Sequence, residues 1–596
     1  MKTILCKRKE FVSHFQNYAK HLKLPEWLEF ITAFFESAPA QFLEDPQDKH
    51  LLRQVKRAWD TYQTQKELKL TIHSKFDKKR GVLCVEIFQK DQPFILETFK
   101  NALSHFHLAP KVIFHPVFRV RRSPDGAIIH IFSKEEHLKY PYTYESLISV
   151  DIPWDRSVNE AQSFIDDLRW RMELIHLAVD DWPKMRKLIQ SSISEEQHSD
   201  FDYFDWLFQD NFLFFGLRTT EEIKEGKTLH FPIAQGSFGM FRDKRVSQNK
   251  NFSPTGFSPS ENSLAFKISK THYRSPVNRS ARLDMIEFVG GKTQAYYQVI
   301  GLFTRRSYAV SNFKIPLIKE KVQKIFGRFG LRRNWHDGKM LMSALESIPH
   351  DEYWHFSEEE IYELCSRVLG FHATSLPTYI GQLSEDKSSL TLIVFVGRER
   401  YSIALKQQIG DYLAKHLGGV LTSMRGISDD SPFARLIYVV NTLKNSWHDQ
   451  SLREEIENLS LSWEEKRHRL YLKNHRTEAY HAVFDDFYQK DFSPEQSLMD
   501  CELLERLDKS HGYAIKLRWG KEPFEQMFWS QIEIRLGSFD KPVVLSHLMD
   551  VLQNFGITIN QEKTYILKGG KYYLHTCLGT MVQDSSFHKT DKTDKK

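Results

Sequence analysis

The sequence predicts an α+β protein built from small repeated strand–helix–strand (βαβ) modules, and three observations carry that expectation. First, Asp91-Gln92-Pro93-Phe94-Ile95-Leu96 returns about 450 residues later as Asp540-Lys541-Pro542-Val543-Val544-Leu545. Second, the apolar residues behind each copy keep the same spacing: Phe99, Leu103, Phe106 and Leu108 after Leu96, and Leu548, Leu552, Phe555 and Ile557 after Leu545. Offsets of three, seven and ten mark one face of an α-helix, and the twelfth falls where a new strand can begin. Third, an alternating stretch precedes each copy, Val82–Phe88 in one case and Phe528–Leu536 in the other. Repeated units of this kind point to sensing or assembly modules rather than to one large catalytic core.

The Asp-x-Pro turn has a local physical reason. An aspartate can accept hydrogen bonds from the free N–H groups at a helix start. A proline fits the first turn, where its missing donor is no loss. Asp91, Pro93, Phe94, Asp540, Pro542 and Val543 are therefore the candidate turn residues.

Taken in order, residues 1–66 read as a helical segment dense in aromatics (Trp27, Phe30, Phe34, Phe35, Trp59). An α+β domain follows at 67–192. It has strands near 68–76 and 81–89, the repeat helix 93–107, a hairpin around Pro124-Asp125-Gly126, a strand Ser146–Ile152 and a long helix 159–191. A second α+β domain spans 200–312, with strands at Phe212–Leu217, Leu264–Ser269, Met285–Val289 and Tyr296–Phe303. A helical connector, 313–380, is interrupted by Pro349. A third α+β domain covers 385–446, charged helices fill 450–510, the last repeat unit occupies 511–580, and 581–596 reads as a disordered Lys-rich tail.

At 596 residues the chain has room for several domains, and 41% apolar and 13% aromatic content suffices for packed cores. Lys plus Arg exceed Asp plus Glu by 83 − 77 = 6, too small an excess to predict a nucleic-acid partner. Cys6, Cys84, Cys365, Cys501 and Cys577 are scattered without metal-ligand spacing, so a reducing, cytoplasmic setting is expected. The longest strongly apolar run, Leu390–Gly397, is far short of the ~20 residues of a membrane helix, so no membrane partner is expected either.

The motifs that carry chemistry are missing. There is no G-x-G-x-x-G or P-loop cradle for a dinucleotide, no H-E-x-x-H and no G-x-S-x-G elbow, so no catalytic, cofactor-binding or metal-binding residue is assigned. Lys568-Gly569-Gly570-Lys571 lies between two short strand patterns and reads as a hairpin turn. His336-Asp337-Gly338 reads as a turn or helix cap. Arg119, Arg121 and Arg122 form a candidate anion-binding cluster. On a strand Arg119 and Arg121 share a face that can take a carboxylate or phosphate, with a solvated strand edge as the alternative.

Several collinear stretches resemble the N-terminal, non-catalytic region of the large bacterial NAD-dependent glutamate dehydrogenases. They are His115-Pro116-Val117-Phe118-Arg119-Val120-Arg121-Arg122, Tyr144-Glu145-Ser146-Leu147-Ile148, Asp181-Trp182-Pro183-Lys184-Met185, Trp206 to Gly216, Arg274-Ser275-Pro276-Val277-Asn278-Arg279 and Gly301-Leu302-Phe303-Thr304. The resemblance implies ferredoxin-like, ACT-like domains at 67–192, 385–446 and 511–580, with a PAS-like domain at 200–312. It also implies an enzyme that oxidatively deaminates L-glutamate to 2-oxoglutarate and ammonia with NAD.

ACT modules of this kind bind amino acids at module interfaces or dimerise. The chain departs from the family pattern at two turns: where a ligand-binding ACT turn reads Asp-x-Pro-Gly, Phe94 and Val543 stand in place of the glycine. Bulky side chains there favour packing over ligand contact. Gly397-Arg398-Glu399-Arg400-Tyr401 stands for the family's Pro-Arg-Asp-Arg-Tyr, and Asn278 for its histidine. The expectation is thus a regulatory or oligomerisation region that lacks the Rossmann domain, binds no cofactor itself and is inactive alone. Its partners would be further copies of itself or a separately encoded catalytic chain. The rival reading is an amino-acid-sensing or assembly scaffold acting in trans. RNA binding through βαβ sheets is a third reading, which the missing RNP sequence disfavours.

Overall fold

The structure is a computed structural model. It describes residue 13 and residues 25–37, 49–133, 141–193, 198–220, 236–252, 266–290, 295–370, 377–383, 389–427, 433–441, 450–473, 484–510, 513–524, 527–539, 541–567 and 571–582. Asp540, the Lys568-Gly569-Gly570 turn and the tail from 583 onward lie outside the described residues, as does much of the segment before residue 49. The chain divides into two compact units, 1–362 and 363–596, each described by itself.

In the first unit, helices α1 (Pro25–Glu36) and α2 (Lys49–Thr64) precede strands β1 (Thr71–Asp77) and β2 (Val82–Lys90). Helix α3 (Ile95–His105), strands β3 (Ile113–Phe114), β4 (Val117–Arg122), β5 (Ile128–Phe132) and β6 (Thr143–Pro153), and helix α4 (Val158–Ser192) follow. The strands form one antiparallel sheet in the order β1-β2-β6-β4-β5, with β3 also on β6.

Both faces of this sheet are covered, which is why β2 reads as a nearly continuous apolar run. Leu83, Val85 and Ile87 point into a core shared with Phe99 and Leu103 of α3 and with Phe164, Leu168 and Met172 of α4. Phe88 points the other way, into an aromatic layer with Phe30 and Phe34 of α1 and Trp59 and Tyr62 of α2. The β4–β5 hairpin turns at Gly126, whose φ of +86° favours glycine and where a Cβ would collide with the Lys66 carbonyl oxygen.

Helix α4 begins with a capping box, Ser157 and Glu160, and runs 35 residues through Pro183. Its first half roofs the sheet just described, and its second half roofs another. There the Asp181 carboxylate accepts the Gly239 N–H at 3.0 Å, and Trp182 stacks on Phe214 with centroids 4.6 Å apart.

Helix α5 (His198–Trp206) leads into strands β7 (Phe212–Thr220), β8 (Ser237–Gly239), β9 (Phe266–Arg274), β10 (Arg282–Val289) and β11 (Tyr296–Phe303). These make an antiparallel sheet ordered β8-β7-β11-β10-β9. Helices α6 (Ile318–Arg328), α7 (His336–Ser347) and α8 (Glu358–Leu369) follow. His336 and Asp337 begin α7, and Gly338 is required there because a Cβ would collide with the Arg332 carbonyl oxygen.

In the second unit, β12 (Thr378–Leu383), β13 (Ser389–Gly397), α9 (Ile403–His416), β14 (Val420–Ile427) and β15 (Phe433–Asn441) form a sheet ordered β12-β13-β15-β14. Helices α10 (Gln450–Ser460), α11 (Trp463–Lys473), α12 (Asp486–Asp491) and α13 (Pro494–Ser510) follow. The last module is β16 (Tyr513–Phe524), β17 (Met527–Phe539), α14 (Leu545–Asn554), β18 (Ile557–Leu567) and β19 (Tyr572–Val582), ordered β16-β17-β19-β18.

All three modules therefore share one plan: an antiparallel strand pair, a helix, then further strands of which the last inserts beside the second. The repeat in the sequence is this plan seen twice. Strand β12 starts at residue 378, inside the span expected to be a helical connector. Its Tyr379 and Leu383 lean on the core of the module while Thr378 and Gln382 lie to the other side, so this edge strand is only weakly apolar. Among the described residues no helix is long and apolar enough to cross a membrane.

Candidate functional site

The first strand-to-helix turn is built by a backbone that turns left-handed. Phe94 is the N-cap of α3 with φ +78° and ψ −3°, and no side chain caps the helix. The sequence suggested that Asp91 does so. Asp91 lies three residues upstream of the N-cap, out of reach of the first-turn N–H groups; its own N–H donates to the Tyr144 carbonyl at 2.9 Å. Burial raises the Asp91 carboxyl above its ordinary range. Phe94 thus occupies the conformation that a glycine would adopt freely, at a cost of about 1–2 kcal/mol. Its ring is edge-on to Phe215 of the neighbouring sheet, centroids 5.7 Å apart.

Side chains close the rest of this turn. The Gln92 amide donates to His176 Nδ1 at 3.0 Å, and His176 Nε2 meets the Gln89 Oε1 at 3.0 Å. That pair of partners fixes the neutral tautomer with the proton on Nε2, and burial lowers the His176 pKa in the same sense. On the far side, the segment Arg274–Arg279 is stitched to α3 and α4. The Asn278 N–H donates to Thr98 Oγ1 at 2.8 Å, and Asn101 Nδ2 to the Ser275 carbonyl at 2.9 Å. Arg171 Nη1 donates to the Pro276 carbonyl at 3.3 Å. Asn278 sits at φ +63°, a conformation that asparagine tolerates. The helix surface beside the turn is thereby covered by the chain's own backbone.

The other two turns are closed differently. In the middle module, Arg400 makes a two-pronged contact to Glu465 at 2.6 and 2.7 Å, and that hydrogen bond helps hold the Glu465 carboxyl down to about 2. Ser402 caps α9 through the Leu405 N–H at 3.0 Å. In the last module Val544 is the N-cap of α14 with an ordinary φ of −69°. Pro542 is exposed and Val543 half-buried. The Val543 N–H donates to His575 Nε2 at 3.1 Å, and His575 Nδ1 lies 2.8 Å from Thr564 Oγ1. Burial lowers the His575 pKa.

The three arginines of the β4 strand do not converge. Arg119 donates to the Ser133 carbonyl. Arg122 lies on the opposite face from Arg119 and Arg121, as strand alternation and the bulge between Arg121 and Arg122 allow. It forks onto Glu145 with both distances 2.8 Å, and Tyr62 donates to the same carboxylate at 2.9 Å. Sequence reasoning missed Glu145, Glu86 and Asp151, buried or half-buried carboxylates on β2 and β6. Arg122 neutralises the first, and the helix side chain Arg57 and the turn residue Arg80 neutralise the others.

It also missed the most enclosed charge cluster. Lys270 Nζ lies 3.1 Å from Asp284 and 2.6 Å from Asp351, and the Tyr308 hydroxyl donates to Asp351 at 2.8 Å. Burial raises the Asp284 carboxyl; at Asp351 burial acts the same way, but the Lys270 charge together with the hydrogen bonds from Lys270 and Tyr308 outweighs it and the pKa falls. Beside Asp351, burial holds His350 down to about 4, with Nε2 3.0 Å from Ser307 Oγ. Among the described residues no group of three or more His, Cys, Asp or Glu side chains could hold a metal ion, and every strand pairing is antiparallel.

Fold and turns together define a chain of ACT-type α+β modules joined by helices. Three family models match parts of the chain. Residues 30–168 match the ACT1 domain of glutamate dehydrogenase, 315–372 its helical motif 1 and 387–464 its ACT2 domain. The NAD-specific glutamate dehydrogenase of Halomonas elongata is 21% identical over 527 residues, covering 82% of this chain and 32% of that protein. Those of Pseudomonas aeruginosa (22% over 523 residues, 82% and 32%) and Mycobacterium tuberculosis (18% over 544 residues, 81% and 32%) are similar in the same way. The matched ACT1, helical motif 1 and ACT2 domains, with the similarity to these NAD-specific glutamate dehydrogenases, support an N-terminal region of that family. The chain spans about a third of the length of the curated relatives it matches.

Proposed function

We propose that these residues form a non-catalytic regulatory and assembly region of a glutamate dehydrogenase-type protein, and that the first ACT-like module is a sealed scaffold rather than an amino-acid sensor. In this reading the family's oxidation of L-glutamate by NAD is carried out by residues other than these. The observation that carries the reading is the first turn. Phe94 fills the glycine position and packs on Phe215, while the Arg274–Arg279 segment covers the adjoining helix. A dinucleotide cradle needs a parallel strand–helix–strand crossover with a glycine-rich turn, and the antiparallel sheets described here do not supply one.

The strand order of the second domain, 2-1-5-4-3 in its own numbering, supports a PAS-like assignment. The buried free thiols Cys84, Cys365, Cys501 and Cys577 support a reducing, cytoplasmic setting. The partners that fit are further copies of this chain or a separate catalytic chain.

Calorimetry of the purified chain against the twenty amino acids tests the scaffold reading, with no heat expected at the first module. Binding abolished by Phe94→Arg or Asn278→Arg would overturn it. Glutamate-dependent NADH formation by this chain alone would overturn the non-catalytic part. Sensing in trans is favoured only at the last module, where Pro542 is exposed and the turn is held by His575 on the Val543 N–H and by the Ser538 hydroxyl on the Lys541 carbonyl.

A further inference from the structure

The three ACT-like modules differ in one respect that the shared plan makes visible. In the first, the half of the sheet under β1 and β2 is roofed by the helix that follows the last strand. Phe164, Ile165, Leu168 and Met172 of α4 share a core with Ile72, Leu83, Val85 and Ile87. In the middle module α10 does the same. Its Leu452 and Ile456 share a core with Leu390, Leu392 and Val394 of β13, and Tyr379 of β12, paired directly with Val394, packs against that core.

Among the described residues the last module has no such roof. The register places Ile515 opposite Leu536 and Leu517 opposite Ile534, so Tyr513, Ile515 and Leu517 lie on the α14 face of the sheet. They are 66%, 56% and 50% exposed. By correspondence with the first module, the flank of α14 that carries Val551 and Phe555 borders this floor, and it too is bare, at 53% and 70% exposure. Through the repeat these correspond to Ala102, which is fully buried, and to Phe106, whose ring packs on Phe164 of α4 at 5.3 Å. Phe555 is thus a helix-contact residue without its helix.

We infer that this groove, floored by Tyr513, Ile515 and Leu517 and walled by Val551 and Phe555, is a docking seat for an amphipathic α-helix supplied from outside residues 1–596. The inference deepens the assembly reading above and rests on it. Helix α14 has 10 residues and is about 15 Å long, so the occupant is a helix of about three turns. By the example of α4 and α10 it presents large apolar side chains at i and i+4, one of them against Phe555. Residues 583–596 contain one large apolar side chain, Phe587, and cannot supply that pair. A second copy is a poor occupant, because the outward face of α14 carries Ser546, Asp550 and Gln553, all exposed and polar, which would lie on the apolar floor.

A fluorescently labelled peptide with the sequence of residues 158–176, the sister helix, serves as the probe for the intact 596-residue chain. Anisotropy is expected to show saturable binding, weakened at least tenfold by Leu517→Asp or Phe555→Asp in the chain and by Phe164→Asp plus Leu168→Asp in the peptide. Both chain positions are exposed, and circular dichroism melts confirm that the variants remain folded; Phe555→Ser is the milder control. Absence of saturable binding, or binding equal in wild type and variants, overturns the inference. So does a dimer in sedimentation velocity that Phe555→Asp dissociates, since that assigns the groove to a second copy. Amino-acid calorimetry is unaffected by any of these results, so the scaffold reading stands or falls separately.

Discussion

The first and last ACT-like modules share their core strand order and their helix spacing, yet one is enclosed and the other is open. In the first, two helices roof one face of the sheet, two more cover the other, and a segment of the neighbouring domain lies along α3. In the last, α14 stands alone on its face among the described residues, while α13 and its neighbours cover the opposite side through Leu503, Leu504 and Leu507. The difference teaches that topology fixes where a helix or ligand would sit, whereas the residues outside the repeat decide whether that place is filled.

The largest effects should come from the buried ion pairs, which the two modules share. Arg122→Met leaves Glu145 buried without its cation, and Arg535→Met does the same to Asp500, 2.5 Å away in the intact module. Each is expected to lower stability by about 3–5 kcal/mol in urea denaturation. A much smaller loss for Arg535→Met would show that the last module is loose on both faces rather than on one.

Acid should have the next largest effect. Burial holds His350 near 4 in the folded state, below its ordinary 6.5. The unfolded chain therefore takes up the proton first, and stability falls as pH drops from about 6.5 towards 4, by on the order of 3 kcal/mol. The difference between wild type and His350→Gln isolates this contribution from that of Asp284, whose raised pKa acts in the opposite direction. His575, also lowered by burial, gives the last module a slope of the same sign. An unchanged pH profile in His350→Gln would remove the basis for expecting that slope.

Phe94→Gly should cost about 1 kcal/mol net, because relief of the left-handed strain offsets part of the lost ring burial. A gain in thermal stability would mean that the ring does not plug the turn. Smallest of all, Phe555→Ser should change stability by less than about 0.5 kcal/mol, as for other exposed sites. A loss of about 2 kcal/mol or more, the size expected for a buried ring, would show that Phe555 is covered within the chain and would close the open seat.

Much of this was legible in the sequence. The repeat spacing placed Phe99 and Leu103, and Leu548 and Leu552, on the buried faces of their helices. The hairpin at Gly126 and the strand at Tyr296–Phe303 followed from turn residues and apolar runs. What escaped were features made by long-range contact. Strands β12 and β14 carry few buried residues, so their periodicity is faint. Nothing in the sequence marks Glu86 and Glu145 as buried, because Arg57 and Arg122 arrive from elsewhere in the chain to neutralise them. The left-handed Phe94 was hidden because sequence marks that conformation by glycine, and here packing imposes it instead. The resemblance pointed to Arg274–Arg279 as a family motif, but its role in tying two domains together depends on Thr98 and Asn101, 180 and 174 residues from their partners.

Helix α4 has a practical consequence for anyone dividing this protein into pieces. Because Asp181 and Trp182 serve the second sheet while Phe164 and Leu168 serve the first, a cut between residues 193 and 200 does not separate two self-sufficient parts. A fragment starting at 200 would expose Phe214 and leave the Gly239 amide without its acceptor, and such a product should aggregate. The smallest expressible portion of this half of the chain starts before the long helix, not after it.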